Sequence, residues 1–253
     1  MRIYVGFDDT DTVDADRGTG KLARWLENEL PPGYRLWGVV RQQLLLDDAI
    51  AYTSHNSSAC AIIENCDGSS VDDLISRAVA HLQRHFIPGS DPGLCVAVEG
   101  HSSLSALTAF GRRCTQDIVT QKDALQAAAG VHLSGHGGTN DGIIGAAAAV
   151  GLTAHGWCGR FIELGRLRDF PERVFVSDLE RSGIAVVSID RDAHIPGPGD
   201  VVETKGWVRP RLWGSRPVLP VVSRGKSLWE TVEERKRRIK GNGGGKDGRK
   251  DLL

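Results

Sequence analysis

The chain opens on alternation. Ile3, Val5 and Phe7 are separated by Tyr4 and Gly6, and a period of two in a short apolar run predicts a buried strand. The run stops at Asp8-Asp9-Thr10-Asp11. After a polar, glycine-containing loop the period changes, and Leu22, Trp25, Leu26 and Leu30 fall on one face of a helix that opens near Thr19. Pro31-Pro32-Gly33 marks a turn; residues 34–41 read as a second strand and 59–63 as a third, with a polar loop at 52–58 between them. Residues 69–86 carry the clearest helical period, through Val71, Leu74, Ile75, Ala78, Val79 and Leu82. A strand at 93–98, a short helix at 104–110 and a brief extended piece at 118–119 follow. Thr120 as N-cap, Asp123 in the first turn and Gly130 at the end announce a helix over 120–130.

The second half is less periodic. Residues 134–145, SGHGGTNDGIIG, form a glycine-rich loop that runs into a small-residue helix. Residues 160–165, 185–189, 200–208 and 217–222 read as strands, with a charged stretch of some helical potential over 166–181. Residues 227–240 read as a helix bearing Leu228, Val232 and the basic run 235–238. Residues 241–253 lack apolar periodicity and are expected to be disordered. No internal repeat is present.

Two stretches carry candidate chemistry. Strand, acidic loop and helix N-terminus suit a nucleotide, because free N–H groups and the dipole attract phosphate. Asp8, Asp9 and Asp11 need Mg²⁺ between themselves and that phosphate, and Mg²⁺ takes carboxylate and phosphate oxygen. The same residues also suit an Asp-rich turn that caps the helix. In the glycine-rich stretch, backbone N–H groups can cradle phosphate; a flexible loop before a tightly packed alanine helix is the alternative. Neither G-x-x-x-x-G-K-[ST] nor G-x-G-x-x-G is matched.

Composition narrows the class. The chain has 253 residues, 40% hydrophobic and 25% charged, with net charge −1, so no global attraction to nucleic acid or anionic membrane operates. Five scattered cysteines without a CxxC support neither a disulfide framework nor a zinc ribbon. Without a signal peptide or membrane-length apolar run, a cytoplasmic protein that contacts no membrane is expected.

VGFDDTDT followed by GTGKLARWL resembles the tRNA-isoleucine 2-agmatinylcytidine synthetases, which begin with a strand, a DDTD loop and a Thr-bearing turn before the first helix. Later features keep the family's order. Residues 52–58 fall where it has a K-T-R-G-N loop, Val119-Thr120 resembles its Val-Thr pair, GTNDGIIGAAAAVG over 138–151 matches its G-x-x-x-G-[IV]-[IV]-G-A-x-A-A-x-G segment, and residues 217–219 resemble its Pro-Val-Leu-type strand. The resemblance spans roughly residues 1–225.

It implies an α+β fold of two interleaved α/β lobes: a kinase-like ATP-binding lobe (1–60 and 120–192), a ferredoxin-like lobe (61–119 and 193–230) and a tail (231–253). It implies ATP and Mg²⁺ as cofactors, with Asp8, Asp9 and Asp11 as metal and phosphate ligands beside Thr10. Thr19 stands at the position of the family's phosphorylated threonine. Asn56 and Ser57 would orient nucleotide or acceptor, while Asn140, Gly142 and Gly145 would form the glycine-rich wall. In the family, ATP activates the C2 carbonyl of the wobble cytidine for displacement by agmatine.

Departures are equally specific. Thr-Thr becomes Thr19-Gly20, Arg-Gly-Asn becomes His55-Asn56-Ser57, a basic residue becomes Asp141, and the sequence shows neither OB-fold nor zinc ribbon. A short relative with a different acceptor is expected, its partners being ATP, a small amine or hydroxyl compound, and tRNA or another RNA. A non-catalytic nucleotide- or RNA-binding module of the same fold is the alternative.

Other clusters read as structural. His81 and His85 share a helical spacing used by zinc ligands, but no third ligand is apparent, so solvated or capping histidines are expected. His132 and His136 bracket the glycine-rich loop as ordinary polar residues. Arg112-Arg113 and Arg209/Arg211 read as a solvated face, with Trp207 and Trp213 in the core.

Overall fold

The computed structural model describes residues 1–50, 55–191 and 194–232. β1 (Arg2–Asp8) lies between β3 (Ser57–Asn65) and β4 (Gly93–Val98), antiparallel to both. β2 (Tyr34–Gln43) pairs outside β3, and β5 (His132–Gly135) outside β4. α1 (Thr19–Trp25), prolonged by a 3₁₀ turn over Leu26–Glu29, and α2 (Val71–His85) give the order β1-α1-β2-β3-α2-β4, with the strands arranged β4-β1-β3-β2 in space.

Alternation in β1 divides its side chains between two cores. Ile3, Val5 and Phe7 pack with Leu22 and Leu26 near α1 and with Leu74, Ala78 and Leu82 of α2. Tyr4 belongs to the other core, with Cys60, Ile62 and Cys95 under α3 (Leu104–Arg113), α4 (Gln121–Ala127) and α5 (Gly142–His155). Full burial of Phe7 contributes roughly 2 kcal/mol. α5 is buried on every side from Gly145 to Thr153, which is why its residues are small. A Cβ on Gly6 would stand 2.3 Å from the Ala146 carbonyl oxygen, so helix and strand meet backbone to backbone. The stretch thus contains the tightly packed alanine helix expected in one reading of it.

β6 (Arg160–Glu163) adds beside β2. The chain then builds β7 (Arg173–Phe175), α6 (Val176–Arg181), β8 (Ala185–Ser188), β9 (Val201–Glu203), β10 (Arg211–Trp213), β11 (Arg216–Gly225) and β12 (Leu228–Thr231). Among the described residues one mixed α/β sheet of 12 strands results, ordered β5-β4-β1-β3-β2-β6-β10-β11-β12-β9-β7, with β8 beside β11. The two halves join where Arg211 of β10 pairs with Arg160 of β6. No described helix is long and apolar enough to cross a membrane.

Several sequence expectations need correction. Residues 134–135, expected in the glycine-rich loop, belong to β5 instead, because the free edge of β4 supplies the strand's hydrogen bonds. Residues 228–231 form β12, not a helix: pairing with β11 and β9 and burial of Trp229 override the Leu228/Val232 spacing. The remainder of that expected helix, its basic run and the tail lie outside the described residues. The strand expected at 200–208 ends at Glu203, and Lys205 turns with φ of 55°. Trp207 is exposed, with Arg168 and Arg209 over its ring, and Trp213 is half-buried under Arg211. The core tryptophan of this region is Trp229. All five cysteines are free thiols.

Candidate functional site

The acidic loop leaves β1 where the N-termini of α1 and α5 come together, and these elements enclose a cavity of about 580 Å³. Asp8 continues the alternation of Tyr4 and Gly6 and therefore meets α5. A Cβ on Gly145 would stand 1.8 Å from Asp8 Oδ2, so the carboxylate occupies the space that this glycine leaves. Burial, reinforced by the charges of Asp9 and Asp11, pushes the Asp8 carboxyl up to about 8. Asp9 is also raised, first by burial and then by the charges of Asp91 and Asp11, against a hydrogen bond from the Asp91 backbone that lowers it. Its φ of 49° is left-handed, an uncommon conformation for a residue with a side chain.

Asp11 has a different environment. Gly18, the N-cap of α1, has no capping side chain, and Asp11 Oδ1 accepts hydrogen bonds from both the backbone N–H and the hydroxyl of Thr19, each at 3.2 Å. The buried Thr10 hydroxyl donates to Thr19 Oγ1 at 3.1 Å. The capping reading of the loop is thus realised at Asp11, while Asp8 and Asp9 remain crowded carboxylates on the cavity wall.

Lys21, Arg24, Arg41 and Arg168 also line the cavity. Arg24 and Arg168 lie 3.5 and 3.8 Å from Glu163, and Arg41 Nε donates to Ser57 Oγ at 2.9 Å. His55, Asn56 and Ser57 line it too, but the Asn56 amide donates to the Leu45 carbonyl at 2.7 Å, so this side chain holds the loop in place. Residues 51–54 of the same polar loop lie outside the described residues.

Of the residues singled out from sequence, Asp8, Asp9, Asp11, Thr19, Asn56, Ser57 and Gly145 reach the cavity; Thr10 lies buried behind it. Asn140 and Gly142 do not line it. Asn140, left-handed with φ of 66°, packs against Gly135, and Gly142 donates its N–H to the Asp91 carbonyl. The glycine-rich wall is made instead by Asp141, Ile144 and Gly145. Sequence reasoning missed the four basic residues and the apolar Leu44, Ile50, Ile118 and Val119. The alternation of Arg41 with Val40 on β2 was the available signal; the others needed the fold. His132 and His136 lie apart, joined through Ser134 Oγ at 2.9 and 2.8 Å.

Fold and cavity define an architecture: a mixed α/β chain in which an interior strand, β1, ends in an acidic loop at a cleft of mixed polar and apolar lining. Solved structures share the fold over about 70% of this chain, and in fold this is a short TiaS-like chain. It is similar to a "tRNA fluorescent labeling enzyme" (TM-score 0.54, 23% identity, covering 70% of this chain and 42% of that one). It is also similar to TiaS, an agmatidine synthetase acting on an isoleucine tRNA, in complex with that tRNA and ATP (TM-score 0.55, 21% identity, 72% and 43%) and without ligands (0.51, 21%, 70% and 42%). The chain spans less than half the length of these proteins. No protein-family model and no curated protein matches the sequence.

Proposed function

We propose that the chain is a cytoplasmic, ATP- and Mg²⁺-dependent enzyme that activates an acceptor oxygen by phosphoryl transfer, as the catalytic half of an agmatidine synthetase does. The observation that carries this reading is the meeting of Asp8, Asp9, Asp11 and Thr19 with Lys21, Arg24, Arg41 and Arg168 in one cavity. A triphosphate needs both walls. The cations attract its oxygens, and the carboxylates face it through a metal.

The donor set fits Mg²⁺: oxygen ligands only, with Asp8 and Asp9 raised because the loop gathers negative charge out of water. Asp8 and Asp9 would hold the ion, with Asp11 Oδ2 as a further donor, and the ion would neutralise phosphate charge. Thr19 is oriented from both sides, receiving a hydrogen bond from Thr10 and donating one to Asp11. In the proposed step Thr19 Oγ1 bonds to the terminal phosphorus of ATP, the bond from that phosphorus to ADP breaks, and the hydroxyl proton passes to Asp11. Transfer onward to a small amine or hydroxyl acceptor, or activation of an RNA carbonyl, follows from the likeness to TiaS, whose solved complexes contain an isoleucine tRNA, ATP, AMPCPP and agmatine.

We assign the ferredoxin-like part to residues 2–98, whose β-α-β-β-α-β order and β4-β1-β3-β2 arrangement support it. The boundary drawn from sequence at 60/61 runs through β3. The kinase-like assignment then falls on α3 to α5 and the strands after residue 160.

One observation favours the second reading, a nucleotide- or RNA-binding module without turnover: Asp11 and Asn56 are committed to the fold. Incubation of the chain with ATP and Mg²⁺, followed by product analysis, separates the two. ADP, absent from Thr19→Ala, supports the enzyme and the step written above; AMP with phosphate or pyrophosphate supports an ATP-using enzyme but overturns that step. Tight ATP binding without turnover supports the module, and absence of ATP binding overturns both.

A further inference from the structure

On the opposite face of the sheet from α5, where α2 packs against the end of α1, three side chains outside the cavity converge. Glu29 closes the 3₁₀ turn, and His81 and His85 lie one turn apart on α2. One donor atom from each lies within 4.8 Å of the other two. His81 is 1% exposed, and its Nε2 lies 2.9 Å from the Leu22 carbonyl oxygen. A carbonyl only accepts, so Nε2 carries the proton and Nδ1 presents a lone pair in the neutral ring. That Nδ1 is buried and has no hydrogen-bond partner.

An imidazole whose second nitrogen donates to a backbone carbonyl is the arrangement that fixes the tautomer of metal-bound histidines. His85 makes an edge contact with Trp25, ring centres 5.5 Å apart, and its ring lies 4.8 Å from that of His81. Glu29 Oε1 pairs with Arg84 at 2.7 Å, and the carboxylate has a second oxygen to offer.

We propose that Glu29, His81 and His85 bind one divalent ion of the Zn²⁺ class, with His81 Nδ1 as the buried ligand. Two imidazoles and a carboxylate suit zinc, whereas Mg²⁺ and Ca²⁺ select oxygen donors. Three protein ligands leave a fourth position for water. The ion would tie the 3₁₀ turn to α2, a structural role separate from the phosphate chemistry of the cleft. The sequence shows only the histidine pair; the third ligand is 52 positions before His81 and is brought there by packing of the 3₁₀ turn on α2.

The test is a Zn²⁺ titration of the full chain, free of any histidine tag and stripped by chelator, against a chromophoric competitor. One equivalent is expected, and Co²⁺ in its place should give the strong visible absorption of a four-coordinate ion. His85→Ala and Glu29→Gln, both at half-buried positions where folding is readily checked by circular dichroism, should weaken Zn²⁺ by about 100-fold or more. Asp8→Asn combined with Asp9→Asn should leave Zn²⁺ binding intact, which keeps this site distinct from any ion in the cleft. The proposal is overturned if the folded chain retains no Zn²⁺, or if binding survives His85→Ala and Glu29→Gln. Loss of binding in the aspartate double variant would overturn it as well.

Discussion

Asp8 and Asp11 belong to one loop and one residue type, yet the fold uses them in opposite ways. Asp8 sits against the glycine of a buried helix among like charges, and burial raises its carboxyl to about 8. Asp11 meets hydrogen-bond donors, the N–H and hydroxyl of Thr19, at the start of α1. One carboxylate stores unfavourable charge that a cation would relieve; the other satisfies a helix end and aims a hydroxyl. A run of aspartates is therefore not one site, and position in the loop decides which side chain serves stability and which opposes it.

The largest test of this contrast is Asp8→Asn. The folded carboxyl binds its proton more tightly than the unfolded one, so Asp8 costs stability progressively as pH rises from about 4 to about 8. At about 1.4 kcal/mol per unit of pKa, the penalty at pH 8 is on the order of a few kcal/mol. Asp8→Asn should flatten that pH dependence in denaturant melts, and Mg²⁺ should stabilise the wild type at pH 8 but not the variant. An equally steep loss between pH 4 and 8 in both proteins would place the charge strain elsewhere.

Gly145→Ala comes next. The added methyl would collide with Asp8 Oδ2 and must push it toward the cavity. A loss of about 1–3 kcal/mol in stability is expected, together with weaker Mg²⁺-dependent ATP binding by calorimetry. Unchanged binding would show that Asp8 needs no fixed seat. Asp11→Ala should be smaller in stability, about 1 kcal/mol as for a lost cap, and should abolish turnover disproportionately because Thr19 loses its acceptor. The smallest effect belongs to a control remote from the cleft. Thr120 and Asp123 form a reciprocal capping box on α4, so Thr120→Ala should cost about 1 kcal/mol and leave ATP binding untouched.

Much of this was legible in the sequence because it is local. The alternation of Ile3, Val5 and Phe7, the 3.6 period of α2 and the Thr120 cap each rest on neighbours within one or two turns. β4 was placed at its observed limits, since an apolar run bounded by turns carries its own ends. The C-terminal half was less readable. Its strands are as short as three residues, and β12 exists only because β11 and β9 flank it.

The sequence by itself determined the acidic loop, the helix beginning at Thr19 and a small-residue helix after the glycine-rich stretch, because propensity, capping and periodicity act between near neighbours. Only the tertiary structure decided that Asp8 would rest on Gly145, that Arg168 would face the same cavity, and that Glu29 would join two histidines of α2. Those meetings depend on strand order and helix packing, which bring together residues separated by tens of positions and leave no periodic trace in the chain.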